Sequence, residues 1–125
     1  MINNYKKKKF LLMNIKKFED YIKEESSDVI NLSDSETGKT VRVEREWLEL
    51  HGGFYYTFYV EGINVLEIRQ GVLHKLQKDR DVVFKDENTD DDVYAEFDNK
   101  KIRFYKGPGE KHIFTLNIYD IERLM

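Results

Sequence analysis

The chain has 125 residues, with 21 basic and 24 acidic side chains and no cysteine. This length predicts one domain with a sizeable buried core, and the missing cysteine excludes disulfides and thiolate chemistry. No apolar run approaches the roughly 18 residues that a membrane-spanning helix needs. We therefore expect a cytoplasmic protein that does not act at a membrane.

The charge is unevenly distributed along the chain. Residues 1–17 carry six lysines and no acidic residue, whereas the remainder carries 15 basic and 24 acidic residues. We predict a basic flexible tail over residues 1–12 and a single β-rich domain over residues 13–125. Because the body is acidic and repels phosphate, we do not expect it to bind nucleic acid directly.

The first predicted element is a helix over residues 14–25. Asn14 is a favourable N-cap residue, and apolar side chains follow at the spacing of one helix face, at Ile15, Phe18 and Ile22. The first turn carries lysines and the last carries glutamates, which opposes the helix dipole. We therefore expect this helix to be held by packing against a sheet.

The following segments predict short strands separated by turns. A hairpin over residues 53–70 is the clearest signal, because apolar and polar positions alternate on both sides of a turn at Glu61-Gly62. Residues 72–78 fit either a helical turn or a frayed strand, and residues 119–125 fit a terminal helical turn. The other predicted strands cover residues 29–32, 40–50, 82–84, 93–97, 101–106 and 112–118.

These elements predict an α+β fold that is mostly β. Between consecutive predicted strands there is no helix long enough for a parallel crossover, so the sheet must be mainly antiparallel. About eight short strands close into a small barrel or form a two-layer sandwich, because an open sheet leaves its edges exposed. We expect the N-terminal helix to pack on this meandering antiparallel sheet.

Two loops resemble ligand-binding motifs only in part. Gly38-Lys39-Thr40 ends like a phosphate-binding loop, but Ser33 stands where the first glycine belongs and a predicted strand follows. The acidic loop over residues 86–92 begins like a calcium loop, but Asp91 stands where glycine is required. We interpret the first as a hairpin turn and the second as a solvated acidic loop.

The sequence does not predict a catalytic or metal site. His51, His74 and His112 lie in three separate segments, without the close spacing of metal-binding histidine pairs. No hydroxyl nucleophile has a neighbouring base in a recognisable motif. We therefore expect neither enzymatic activity nor a cofactor.

Tyrosines at outward positions of the predicted strands are the most informative feature. Tyrosine combines a large rigid ring with a hydroxyl and is enriched at protein interfaces. Together with the acidic loop, these tyrosines predict a partner-binding surface; alternatively, some belong to a second small core under the helix. The predicted partner-binding residues are Tyr55, Tyr59, Tyr94, Tyr105, Asp90, Asp91 and Asp92.

These features favour a small protein-binding module of the inhibitor or immunity (anti-defence) type, from a bacterial or phage context. Its tyrosines would anchor on another protein, and its aspartates would steer toward basic residues, so that a functional surface of the partner is occluded. A basic enzyme such as a nuclease is one such partner. Two alternatives are a small barrel that binds an apolar ligand and a structural subunit of a phage or other assembly.

Overall fold

The computed structural model describes residues 3–4, 8–9, 27–78 and 81–125. Asn3–Asn4 pairs antiparallel with Lys8–Lys9 in a two-residue ladder. The rest of the predicted tail over residues 1–12 lies outside the described residues, and so does the predicted helix over residues 14–25.

Four consecutive strands form the first sheet, sheet I, as a simple antiparallel meander. A 3₁₀ turn over Glu49–His51 joins its second and third strands. The strands are β1 (Ser27–Ser33), β2 (Thr40–Leu48), β3 (Gly53–Val60) and β4 (Ile63–Arg69).

The second half of the chain begins with a helix and forms sheet II, another four-stranded antiparallel meander. Helix α1 covers Gln70–Lys78, and helix α2 covers Ile118–Leu124 at the end of the chain. Between them lie β5 (Val82–Lys85), β6 (Asp92–Asp98), β7 (Lys101–Lys106) and β8 (Lys111–Asn117).

The prediction of a mostly β fold with about eight antiparallel strands is confirmed, and the strands form two sheets. The detail of a single helix, at the N-terminus, is partly wrong, because within the described residues two helices lie in the middle and at the end of the chain. Helix α1 has only two buried residues, Leu73 and Leu76, so its sequence carries a weak helical signal. Helix α2 begins with a capping box between Asn117 and Asp120.

Helix α1 has nine residues and helix α2 has seven. Within the described part of the chain, no helix is both long and apolar enough to cross one.

The hairpin of β3 and β4 forms where the alternation predicts it. Its two turn residues, Glu61 and Gly62, have φ angles of 51° and 81°, as a tight hairpin turn of the favoured hand requires. Tyr56 and Phe58 alternate inward along β3 and are almost fully buried. The turn and the alternation therefore specify the same register.

One hydrophobic core lies between the two sheets and includes residues from both helices. Phe58 of sheet I stacks on Phe114 of sheet II, with their ring centroids 5.3 Å apart. Phe104 lies 4.8 Å from the same ring, and Phe84 contacts Phe104 edge-on. Aromatic rings therefore fill the space between the sheets.

Candidate functional site

The outer face of sheet II carries a row of side chains that crosses all four strands. Val83 pairs with Tyr94, Tyr94 pairs with Tyr105, and Tyr105 pairs with His112 in the ladder. Val83 is 59% exposed and Tyr94 is 39% exposed, because their strand neighbours point into the core. We call Val83, Tyr94, Tyr105 and His112 the sheet II row.

Two contacts hold Tyr105 in the middle of this row. The His112 ring meets the Tyr105 ring edge-on at 5.6 Å, and the Tyr105 hydroxyl donates to Glu96 at 3.4 Å. Burial raises the pKa of the Tyr105 phenol, and the carboxylate of Glu96 raises it further. The phenol therefore stays protonated at neutral pH and acts as a hydrogen-bond donor.

The acidic turn between β5 and β6 borders one end of the sheet II row. Asp90, Asp91 and Asp92 are all exposed, and Asp92 pairs with Lys85 at 2.9 Å. The hydrogen bond to Asp92 raises the pKa of Lys85, and the charges of Asp90 and Asp91 raise it further. A single lysine thus faces three carboxylates, so this end of the face is negatively charged.

A shallow groove of about 270 Å³ lies between this turn and the β7–β8 loop. Tyr94 lines the groove, and Pro108 and Glu110 line it from the loop. The loop is tied to the turn by the Gly107 N–H, which donates to the Asp92 carbonyl at 3.0 Å. The groove therefore combines an aromatic side with an acidic rim.

The other two predicted tyrosines lie on the outer face of sheet I, on β3. Tyr55 is only 7% exposed, and the guanidinium of Arg69 lies 5.4 Å from its ring centroid. Tyr59 is half-buried under Arg42, at 4.4 Å, and donates to Glu44 at 3.4 Å. Both rings therefore have little solvent-exposed surface, whereas the strand alternation predicts exposed rings at these two positions.

The structure therefore brings together Tyr94, Tyr105 and the three aspartates and leaves Tyr55 and Tyr59 on a different sheet. Tyr59 belongs to a row of polar side chains on the outer face of sheet I. It consists of Asn31, Arg42, Tyr59 and Asn64, which pair across four strands in the same way as the sheet II row.

Two members of the sheet II row, Val83 and His112, are not among the residues that the sequence predicts for the site. Val83 lies between Val82 and Phe84, and the alternation of this short strand already puts it on the outward side. The sequence presents His112 only as a candidate metal ligand. Its place beside Tyr105 depends on a register shift between β7 and β8, which the sequence does not signal.

The arrangement offers no accessible nucleophile at the histidine of this row. The His112 Nε2 atom lies 2.7 Å from the Thr115 hydroxyl, which donates to Glu36 at 2.8 Å. Thr115 is fully buried, so no substrate reaches its hydroxyl. Among the described residues, no group of three or more histidine and acidic side chains is placed to hold a metal ion.

Comparison with models of protein families, with characterised proteins and with solved structures finds no match.

Proposed function

We propose that this protein is a small binding module that occludes a basic surface of a partner protein with the outer face of sheet II. The observation that carries the proposal is the sheet II row, in which Val83 and Tyr94 are exposed side by side next to an acidic turn. Exposed tyrosine beside an apolar side chain is the composition of an interface centre.

The charge at the rim selects the kind of partner. Asp90, Asp91, Asp92 and Glu110 surround the groove, with Lys85 as the cation at the same rim. Carboxylates arranged in this way attract lysine and arginine side chains and raise the rate of association. We infer a partner with a basic rim around an apolar depression, as an enzyme that binds phosphate would present, in the manner of an inhibitor or immunity protein.

The two other functions predicted from the sequence have less support. An apolar ligand would need space inside the fold, but the Phe114 ring contacts both Phe58 and Phe104 there. A subunit of an assembly would pair its edge strands with other copies. Two outer strands, β4 and β8, already accept backbone hydrogen bonds from turns of the same chain, at the carbonyls of Glu67 and Thr115.

The test uses a photo-crosslinking amino acid in place of Tyr94 in cells that naturally produce the protein. The matched control carries the same amino acid in place of Arg42, which occupies the corresponding position of the row on sheet I. We expect a protein to be crosslinked from position 94 and not from position 42. The purified partner should then bind the unmodified chain directly.

Affinity measurements with that partner make the test quantitative. We expect Tyr94→Ala to weaken binding about tenfold or more, as for a central interface tyrosine, and Asp91→Asn to slow association mainly at low salt. Arg42→Ala should leave the affinity unchanged. Equal crosslinking from both positions, or unchanged binding of Tyr94→Ala, would contradict the proposal.

A further inference from the structure

The two halves of the described chain have the same order of elements. Residues 27–78 form a four-stranded antiparallel meander followed by a helix, and residues 81–125 form another such meander followed by a helix. We call residues 27–78 unit 1 and residues 81–125 unit 2. The agreement extends from the order of elements to individual contacts.

The first turn of each unit is built on a buried aspartate, Asp34 in unit 1 and Asp86 in unit 2. Each carboxylate accepts the N–H of the residue two places on, Glu36 at 2.8 Å and Asn88 at 2.9 Å. Each aspartate N–H donates to the carbonyl five residues later, at 2.8 Å in unit 1 and 2.9 Å in unit 2.

The same turns share a left-handed residue at the same place. Gly38 has a φ angle of 78° and Asp90 has a φ angle of 65°. Their N–H groups donate to the carbonyls of Asp34 and Asp86, at 2.8 and 2.7 Å. The two turns are therefore closed by the same pair of backbone hydrogen bonds.

The third and fourth strands of the units also agree. The ladder shifts register after Phe58 in unit 1 and after Phe104 in unit 2, and a tyrosine follows in both. Each of these tyrosines donates to a glutamate on the second strand of its own unit at 3.4 Å, in the pairs Tyr59–Glu44 and Tyr105–Glu96.

The contacts between the units are reciprocal. Thr115, on the last strand of unit 2, donates its N–H to Asp34 at 3.0 Å, and its carbonyl accepts the N–H of Ser35 at 2.9 Å. Glu67, on the last strand of unit 1, donates its N–H to Asp86 at 3.1 Å. Its carbonyl accepts the Glu87 N–H at 2.8 Å.

Such reciprocity is the property of an interface between two copies related by a two-fold axis. We propose that the chain is an internal dimer of two equivalent units, in which Asp34 and Asp86 are reciprocal latches. Each latch binds the last strand of the opposite unit through the backbone N–H and carbonyl groups at the open edge of that strand. The latches hold the two sheets together whether or not a partner is bound.

Amide hydrogen exchange of the full chain, resolved by residue, tests the latches. In Asp34→Ala, exchange of the Thr115 N–H should become on the order of tenfold faster, while the Glu67 N–H keeps its rate. In Asp86→Ala, the Glu67 N–H should accelerate and the Thr115 N–H should not. Each turn would then stabilise a strand that is distant in the sequence.

A milder variant and a matched control keep the test decisive if an alanine variant folds poorly. Asp34→Asn retains one oxygen for the Glu36 N–H but loses the oxygen that accepts from Thr115, so Thr115 should still accelerate. Arg42→Ala, which changes a side chain that contacts Glu44 and Tyr59 on the outer face of sheet I, leaves the latch in place and should leave the Thr115 rate unchanged. Unchanged exchange at Thr115 in both Asp34 variants, or uniform acceleration of both units, overturns the proposal.

Discussion

The carboxylate of Asp86 lies 2.8 Å from the ammonium nitrogen of Lys106, and Asp86 has no exposed surface. Lys106 also donates to the Val65 carbonyl at 2.7 Å, so one side chain of unit 2 joins its own first turn to a strand of unit 1. Burial raises the pKa of Asp86, but hydrogen bonds from Lys106 and from backbone amides outweigh burial and lower it. The carboxylate is therefore ionised at neutral pH.

We predict that Lys106→Met lowers the free energy of unfolding by about 3–5 kcal/mol, because it leaves a buried carboxylate without its cation. Methionine keeps most of the side-chain packing, so the loss reports on the charge. Urea denaturation at pH 7 measures it. The control is Lys85→Met, which breaks the exposed pair with Asp92 and should cost much less stability. Equal losses in the two variants would contradict the prediction.

We predict that Glu36→Gln destabilises the protein at neutral pH and that this effect disappears as pH falls to about 2. Hydrogen bonds from Arg103 and Thr115 lower the pKa of Glu36 from 4.5 to about 2. A lowered pKa stabilises the fold when the group is ionised, so this contribution is complete above pH 4.5 and disappears as pH falls to about 2. Urea midpoints of both proteins should therefore converge across that range; a constant difference would show that the Glu36 charge is not responsible.

We predict that Asp90→Gly stabilises the fold by roughly 0.5–1 kcal/mol. Asp90 has a φ angle of 65°, a conformation that glycine adopts without strain and that the equivalent Gly38 already occupies. Thermal unfolding measures the gain, and Gly38→Asp is the reverse control, which should lose stability. The gain should persist in high salt, since relief of backbone strain is not screened; a gain that salt removes would instead reflect repulsion among the aspartates.

The strand pattern was predictable where it is local. The hairpin around Gly62 combines a short alternating repeat with a turn residue at positive φ, and both signals act within a few residues. The helices were harder to predict. Helix α1 has two buried residues, Leu73 and Leu76, and such a short pattern fits a helical turn or a strand until the core is assembled around it.

The candidate site was predictable only in part, because alternation gives the face of a strand and not what covers it. Tyr55 and Tyr94 are both outward residues of their strands, but Arg69 lies beside the ring of Tyr55, which is buried, whereas Tyr94 stays exposed. The two-unit organisation was also not predictable from local sequence patterns. Asp86 follows Asp34 by 52 residues but Phe104 follows Phe58 by 46, so no fixed period reveals the repeat.

The reciprocal turns also bear on aggregation. The outermost strand of a sheet offers free backbone groups to which a strand of another molecule can add, and many proteins guard this edge with lysine or proline. Here the middle of β4 and of β8, at Glu67 and Thr115, is already occupied by a turn of the same chain. These backbone contacts thus protect the two edges from pairing with neighbouring molecules. The fold therefore does not need charged side chains for this protection.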